Sequence, residues 1–284
     1  MNPALEARIL RYAALTDGGS GGNPAGVVLD ADDLDDATRL AVAARVGYSE
    51  TAFVDAQRPD GTYRLRYFSP RAEVDFCGHA TIATAVAMGE RGASGTLLFD
   101  TRPGRVEVGT THAPDGAHTA TLTSVATRTR PAEPEELTRA LTAFGWTADE
   151  LDPRYPSHVS YAGNDHLVLA LRERRTLAAL EYDFAALAAL MAERMWTTVH
   201  VVWMQARDLF HARDPFPPGG VVEDPATGAA AAAFGGYLRE LGLVDVPGEV
   251  TILQGADMGR PSRLTVGIPA DGGILVTGAA APIG

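Results

Sequence analysis

The stretch Glu73-Val-Asp-Phe-Cys-Gly-His-Ala-Thr-Ile-Ala-Thr-Ala85 places carboxylates, a thiol, a glycine and a histidine directly before a run of small apolar residues. The run predicts a helix over 80–91, ended by Gly92. Because it is apolar on nearly every side, the helix is expected to be surrounded by protein. A helix N-terminus leaves backbone N–H groups unpaired and carries about half a positive charge. The stretch therefore predicts a buried helix whose start can attract an anionic ligand.

A second stretch has the same arrangement in the other half of the chain. Asp224 precedes Thr227-Gly228-Ala229 and an alanine-rich run, as Asp75 precedes Cys77-Gly78-His79. This similarity is a weak indication of an internal repeat. If the repeat is real, the two helix starts could face one cleft between two domains and bind an anion there.

Composition limits the class of protein and the kind of partner. A chain of 284 residues is long enough for roughly two domains. The formal net charge of −12 and the absence of a basic cluster argue against nucleic acid and favour a small-molecule partner. The single cysteine, Cys77, excludes intrachain disulfides and a multi-thiolate metal site. No apolar run is long enough for a membrane span and no targeting segment is recognisable, so we expect a cytoplasmic protein.

Periodicity and turn residues predict the elements around these stretches. Asp32 or Asp33 is expected to cap a helix that ends at Gly47, and a strand is predicted from Thr51. Glu50 therefore lies where a connection enters a strand. Residues 126–134 are rich in proline, arginine and threonine and predict a linker between two domains.

Several separated blocks resemble the phenazine-biosynthesis PhzF-like isomerase family, which has the diaminopimelate epimerase-like fold. They span most of the chain in the family's order. The blocks are Gly22-Asn-Pro-Ala-Gly-Val-Val28, Ser49-Glu-Thr-Ala-Phe-Val54, Arg66-Tyr-Phe-Ser-Pro70, Glu73-Val-Asp-Phe-Cys-Gly-His-Ala-Thr81, Glu223-Asp-Pro-Ala-Thr-Gly228, Gln254-Gly255 and Met258-Gly-Arg-Pro-Ser262.

The resemblance implies an α+β fold with two pseudo-symmetric domains, each a curved, mostly antiparallel sheet wrapped around a central helix, with the active site between them. We place the first domain at 1–128, with a final strand at 273–284 as a candidate to complete it, and the second at 129–272. It also implies a homodimer and a reaction without a metal ion or an organic cofactor.

The resemblance further implies an acid/base isomerase that moves a proton within a small, conjugated, amino-acid-like carboxylate. The family's namesake acts on trans-2,3-dihydro-3-hydroxyanthranilate. Position matching assigns the proton shuttle to Glu50 and supporting polar roles to His79 and Asp224. The residues assigned to substrate binding are Gly78, Gly228, Ala229, Cys77 and Asn23.

Two features leave the substrate open. The residue after Thr227-Gly228 is Ala229, whereas the phenazine enzymes have a serine after this Thr-Gly pair. Losing the serine hydroxyl removes one hydrogen bond to the substrate, worth about 0.5–1.5 kcal/mol. The related racemases that use a thiol on each side of the substrate are excluded, because Cys77 has no second cysteine to act with it. Beside an isomerase of specialised, phenazine-like metabolism, the alternatives are an isomerase of another diene, such as a cyclic amino-acid antibiotic precursor, and a non-catalytic binding or sequestering protein.

Overall fold

The computed structural model describes residues 3–112 and 116–283. The chain divides into a first unit, Met1–Thr123 with Thr277–Gly284, and a second unit, Ser124–Val276. The division into domains at 1–128 and 129–272 stays a prediction. Residues 1, 2 and 113–115 of the predicted first domain, and residue 284 of its predicted final strand, lie outside the described residues.

The secondary structure consists of many strands and a few helices. The strands are β1 (Ile9–Thr16), β2 (Asn23–Val28), β3 (Thr51–Val54), β4 (Tyr63–Phe68), β5 (Glu73–Val74), β6 (Gly95–Thr101), β7 (Gly104–His112), β8 (His118–Thr123), β9 (Arg128–Pro131), β10 (His158–Tyr161), β11 (Asp165–Leu171), β12 (Trp196–Ala206), β13 (Leu209–Pro215), β14 (Glu223–Asp224), β15 (Gly248–Gln254), β16 (Ser262–Ile268) and β17 (Leu275–Pro282). The helices are α1 (Pro3–Glu6), α2 (Asp36–Val46), α3 (Gly78–Gly89), α4 (Pro134–Phe144), α5 (Arg174–Ala178), α6 (Phe184–Arg194) and α7 (Gly228–Glu240), and short 3-10 turns occupy Ala148–Glu150, Pro217–Gly219 and Ala256–Met258.

In the first unit the strand pairings form a closed ring. They run β1–β2–β3–β4–β6–β7–β8–β17 and return from β17 to β1. Only the β2–β3 and β4–β6 steps are parallel among the pairings with a described register. Helix α3 packs on β1, β2, β3, β7 and β8, and every residue of the helix after Gly78 is buried. Each fully buried aliphatic side chain in such a core contributes about 1.5–3 kcal/mol to stability.

The second unit repeats this order of pairings around α7. Its strands run β9–β10–β11–β12–β13–β15–β16, and the parallel steps are β11–β12 and β13–β15. Helix α7 packs on β9, β10, β11, β12 and β16. A Cβ on Gly236 would lie 2.5 Å from the Thr127 side chain, so glycine is needed for this close approach. The predicted α+β class, a mostly antiparallel sheet curved around a central helix in each unit, is confirmed.

Two predictions of local structure are wrong, each for a visible physical reason. Helix α2 is capped by Asp35, whose carboxylate accepts the backbone N–H of Thr38 at 2.8 Å. The Asp32 side chain instead accepts the N–H of Ala56 at 2.7 Å, and Asp33 pairs with an arginine. The segment 126–134 is not an unpaired linker, since β9 lies within it and pairs antiparallel with β10. Its polar composition fits a strand that is largely exposed.

None of the helices within 3–112 and 116–283 combines the length and the apolarity that crossing a membrane requires.

Candidate active site

Glu50 is held by the parallel pairing of β2 and β3. Its carbonyl oxygen accepts the backbone N–H of Gly26 at 3.2 Å, and Gly26 is aligned with Thr51 in the register. A Cβ on Gly26 would lie 2.6 Å from the Thr51 hydroxyl oxygen, so only glycine allows this close approach of the two strands. The Glu50 side chain is 19% exposed, which leaves its carboxylate accessible to a small molecule.

Asn23 begins β2 beside an irregularity in β1. It is aligned with Ala14, and the pairing of β1 with β17 shifts register between Ala14 and Thr16. Leu15, the residue between them, is fully buried with a φ of 62°, an unusual backbone conformation for a leucine. The bulge thus lies immediately next to the pair that positions the buried Asn23 side chain.

Cys77, Gly78 and His79 form the start of α3. Cys77 occupies the N-cap position with an extended backbone, and its side chain makes no capping hydrogen bond. The Cys77 carbonyl instead accepts the backbone N–H of Thr81 at 3.0 Å and the Thr81 hydroxyl at 2.7 Å. The buried Tyr67 hydroxyl lies 2.6 Å from the same Thr81 oxygen. These bonds fix the helix start and leave the thiol pointing towards other side chains.

The side chains of Glu50, Cys77, His79 and Asn23 meet in one cluster. The thiol of Cys77 donates to Oε2 of Glu50 at 3.5 Å, and its sulfur lies 3.4 Å from Nδ1 and 3.7 Å from Nε2 of His79. Nε2 of His79 lies 3.5 Å from Oε2 of Glu50. On the other side of the ring, Nδ2 of Asn23 lies 3.3 Å from Nδ1. The structure therefore brings four of the predicted site residues into contact, with Gly78 between two of them in the chain.

Burial controls the charge of His79. Its side chain is nearly inaccessible, and burial lowers the pKa of the imidazole, although the nearby Glu50 carboxylate and the Pro24 carbonyl oppose this shift. The ring is therefore expected to be neutral at pH 7. A neutral imidazole can donate a hydrogen bond to a carboxylate and orient it without permanently transferring a proton.

The other predicted residues lie in the second unit. Asp224 ends β14, and its Oδ2 accepts the hydroxyl of Thr227 at 2.6 Å. Gln254 completes the arrangement: its Oε1 accepts the backbone N–H of Thr227 at 3.1 Å, and its Nε2 donates to the Asp224 carbonyl at 2.8 Å. Gly228 and Ala229 then begin α7, with Gly228 buried and Ala229 partly exposed.

Sequence reasoning assigned no role to Thr227 or Gln254, although both hold Asp224 in place. Thr227 lies inside the block Glu223–Gly228 and Gln254 in the block 254–255, so the motif matches already contained them. The structure identifies their role, because the side-chain amide of Gln254 is 1% exposed and both of its polar atoms bond to this turn. Burial of that kind is a property of the fold and is not visible in the residue type.

The acidic residues preceding α3 make ion pairs with arginines. Glu73 bonds Arg66 through both carboxylate oxygens, at 2.7 and 2.9 Å. Asp75 lies 3.1 Å from Arg102 at an exposed position. The Arg66 guanidinium lowers the pKa of Glu73 through hydrogen bonding, so this carboxylate stays ionised. Both groups therefore support the turn into the helix.

Comparison with known proteins gives one consistent result. The family model described as "Phenazine biosynthesis-like protein" (PhzC-PhzF) matches residues 12–283. The chain is 32% identical over 247 residues to trans-2,3-dihydro-3-hydroxyanthranilate isomerase of Pseudomonas aeruginosa, covering 86% of this chain and 84% of that protein. It is 28% identical over 275 residues to the uncharacterized isomerase YfhB of Bacillus subtilis, covering 94% and 92%.

A solved structure gives the same answer for the fold. The crystal structure of the Bacillus anthracis phenazine biosynthesis protein, PhzF family, superposes with a TM-score of 0.86 at 25% sequence identity. The superposition covers 97% of this chain and 96% of that chain.

Proposed function

Because the chain belongs to the phenazine biosynthesis-like (PhzC-PhzF) family and is an isomerase, we propose that it moves a proton within a small, conjugated, amino-acid-like carboxylate by acid/base catalysis on Glu50. The single observation that carries the proposal is the partly exposed Glu50 carboxylate, 3.5 Å from Nε2 of a buried His79. A carboxylate held in this way can remove a proton from one carbon and return it to another.

The surroundings of Glu50 support the two halves of such a reaction. As base, its carboxylate accepts a proton from a carbon of the substrate, and the electron pair moves into the conjugated system. As acid, it returns a proton to a different carbon, so the isomerisation consumes no co-reactant. Because the side chain is 19% exposed, the carboxyl proton can exchange with solvent between the two steps. The imidazole of His79, whose Nε2 lies 3.5 Å from Oε2, restricts the orientation of the carboxylate during both steps. No group other than the shuttle has to change its protonation state.

The start of α3 supports binding of the substrate carboxylate. The helix is twelve residues long, and Gly78 and His79 are its first two residues. Its N-terminal N–H groups and partial positive charge favour an anion close to Glu50. Gly78 is partly exposed and has no side chain to cover these groups. The resemblance assigns a role in contacting this substrate to Asp224, which is held by Thr227 and Gln254, and to the start of α7.

The relative named for trans-2,3-dihydro-3-hydroxyanthranilate suggests that compound as the first substrate to test. The phenazine enzymes have a serine at the position of Ala229. This difference favours a second candidate of the same reaction type, isomerisation of another diene such as a cyclic amino-acid precursor. In either case the proposal includes a homodimer acting in specialised metabolism.

The experiment is incubation of trans-2,3-dihydro-3-hydroxyanthranilate and related cyclic dienes in D2O, with deuterium incorporation followed by NMR. Wild type should incorporate deuterium at the carbon that receives the proton, whereas Glu50→Gln should incorporate none. Glu107→Gln is the matched control, since Glu107 is exposed on β7, and it should behave as wild type. Full exchange by Glu50→Gln would show that another group is the shuttle. Tight binding without exchange by any protein would favour sequestration.

A further inference from the structure

Three side chains of the cluster have the spacing of a zinc site. Zinc binds sulfur at about 2.3 Å and histidine nitrogen or carboxylate oxygen at about 2.0–2.1 Å, in a tetrahedron. Those bond lengths place sulfur about 3.5 Å from the other two ligands and nitrogen about 3.3 Å from oxygen. The observed distances are 3.5 Å from Sγ of Cys77 to Oε2 of Glu50, 3.7 Å from Sγ to Nε2 of His79, and 3.5 Å from Nε2 to Oε2.

We propose that Glu50, Cys77 and His79 form a three-ligand site for Zn²⁺, and that occupation of this site inhibits the isomerase. The three donor atoms lie within 4.8 Å of one another and come from two elements fixed independently, the entry to β3 and the start of α3. Small shifts of the side chains are enough to place an ion between them.

The chemistry of the donors favours zinc over a hard cation. Magnesium and calcium require several oxygen ligands, and this cluster offers one carboxylate with a sulfur and an imidazole nitrogen. A thiolate, an imidazole and a carboxylate suit Zn²⁺, and three protein ligands leave the fourth position for water or a substrate atom. When the thiol binds, its proton is released to solvent.

Asn23 supplies an outer contact that such a site needs. A histidine that binds zinc through one ring nitrogen usually donates the N–H of the other to a neighbour, which fixes the ring. Here Oε2 of Glu50 lies 3.5 Å from Nε2, the sulfur of Cys77 lies 3.7 Å from Nε2 and 3.4 Å from Nδ1, and the Asn23 side-chain amide lies 3.3 Å from Nδ1. Rotation of that amide by half a turn presents its oxygen to the Nδ1–H. The buried amide can therefore serve the metal-bound ring as well as the metal-free ring.

Inhibition follows from the role proposed for Glu50, and this part of the inference rests on the proposed function. A carboxylate bound to Zn²⁺ has its basic oxygen engaged with the ion and no longer accepts a proton from carbon. The ion in this proposal is an inhibitor, and the isomerisation itself proceeds without it. Zinc binding as such does not depend on which reaction the site performs.

The site is tested with the metal-free protein by adding Co²⁺, which replaces Zn²⁺ and shows a thiolate-to-metal charge-transfer band. Wild type should develop the band until the site saturates, and Zn²⁺ should remove it. Cys77→Ala should show no band, and His79→Gln should bind Co²⁺ at least about 10–100-fold more weakly, the loss typical even of an outer-shell change. Circular dichroism checks that each variant is folded.

A second pair of histidines provides the control for adventitious metal. His112 and His118 lie opposite each other on β7 and β8, with ring centroids 4.1 Å apart. His112→Gln disrupts this pair and should leave the charge-transfer band unchanged. A band that persists in Cys77→Ala, or disappears in His112→Gln, would overturn the assignment of the site.

Inhibition is measured separately, by adding Zn²⁺ and then a chelator to the deuterium-exchange assay. Each protein is compared with its own zinc-free rate. Wild type should lose activity and recover it with the chelator, and Cys77→Ala should need far more Zn²⁺ for the same loss. A normal cobalt band without loss of exchange would overturn the inhibitory role. Exchange that persists in Glu50→Gln would instead mark a failure of the proposed function, because the cobalt band is read without any substrate.

Discussion

Nε2 of His79 lies 3.5 Å from Oε2 of Glu50, although one residue begins a helix and the other enters a strand. The pair is enclosed on the His79 side and open on the Glu50 side, since the two side chains are 9% and 19% exposed. A carboxylate that a small molecule can reach is thus oriented by an imidazole that solvent hardly reaches. This difference in exposure suits an acid/base shuttle that the substrate approaches from one side.

Replacing His79 separates its positioning role from its bulk. In His79→Gln the side-chain amide can occupy the position of Nε2 and still donate to Glu50, whereas the amide of His79→Asn is too short to do so. Catalytic contacts that are long in the free enzyme, such as this one at 3.5 Å, tighten in the substrate complex, where a hydrogen bond to a charged group contributes about 1.5–3 kcal/mol, or about 10–150-fold in rate. We expect His79→Asn to lose that factor in kcat with a smaller change in KM, and His79→Gln to retain more of the activity. Steady-state kinetics at pH 7 measure both, and equal rates in the two variants would contradict the role.

Ala229→Ser tests whether the start of α7 selects the substrate. The position is partly exposed at the first turn of the helix, so a hydroxyl has room and can donate to a bound carboxylate. One new hydrogen bond is worth about 0.5–1.5 kcal/mol, or about 2–12-fold in KM. We expect a lower KM for trans-2,3-dihydro-3-hydroxyanthranilate. Ala232→Ser, inside the buried part of the same helix, is the control and should not improve binding.

The pH dependence of stability should reflect a buried polar chain in the second unit. Nδ1 of His166 lies 2.8 Å from the Thr198 hydroxyl, which donates to Asp214 at 3.0 Å, and His200 lies 3.0 Å from the same carboxylate. All four side chains are fully buried. Burial, together with the nearby His200, lowers the pKa of His166 to about 3 from an ordinary value of 6.5.

The direction of the effect follows from proton uptake. Between pH 6.5 and about 3 the unfolded chain binds a proton at this residue and the folded chain does not. The free energy of unfolding should therefore fall as the pH falls through this window, and His166 should contribute no slope above it. His166→Asn keeps a polar atom near Thr198 and should flatten the dependence, while the exposed His112→Gln should not. Urea unfolding at several pH values measures the slope, and an unchanged slope in His166→Asn would contradict the prediction.

Local patterns in the chain predicted the elements whose signal is short in range. Helix α2 ends at Gly47, as predicted, in the left-handed conformation that glycine favours. The start of α2 was predicted too early because three aspartates compete for the same cap. Only their partners, Ala56 for Asp32 and Arg8 for Asp33, reveal that Asp35 remains for the helix. Those partners are distant in sequence, so a short stretch of sequence around the helix start does not show which aspartate caps the helix.

The sequence by itself determined the family and the fold class, and it predicted the residues of the candidate site, because motif spacing and small-residue helices are properties of residue order. Only the tertiary structure decided what these residues do to one another. It brought Glu50, Cys77, His79 and Asn23 within contact of one another, and it showed that Gln254 supports Asp224 through Thr227. Such distances depend on strand pairings such as β2 with β3, which join residues far apart in the chain. The stretch before α3 therefore identified the helix start, and the packing of β3 beside it supplied the carboxylate.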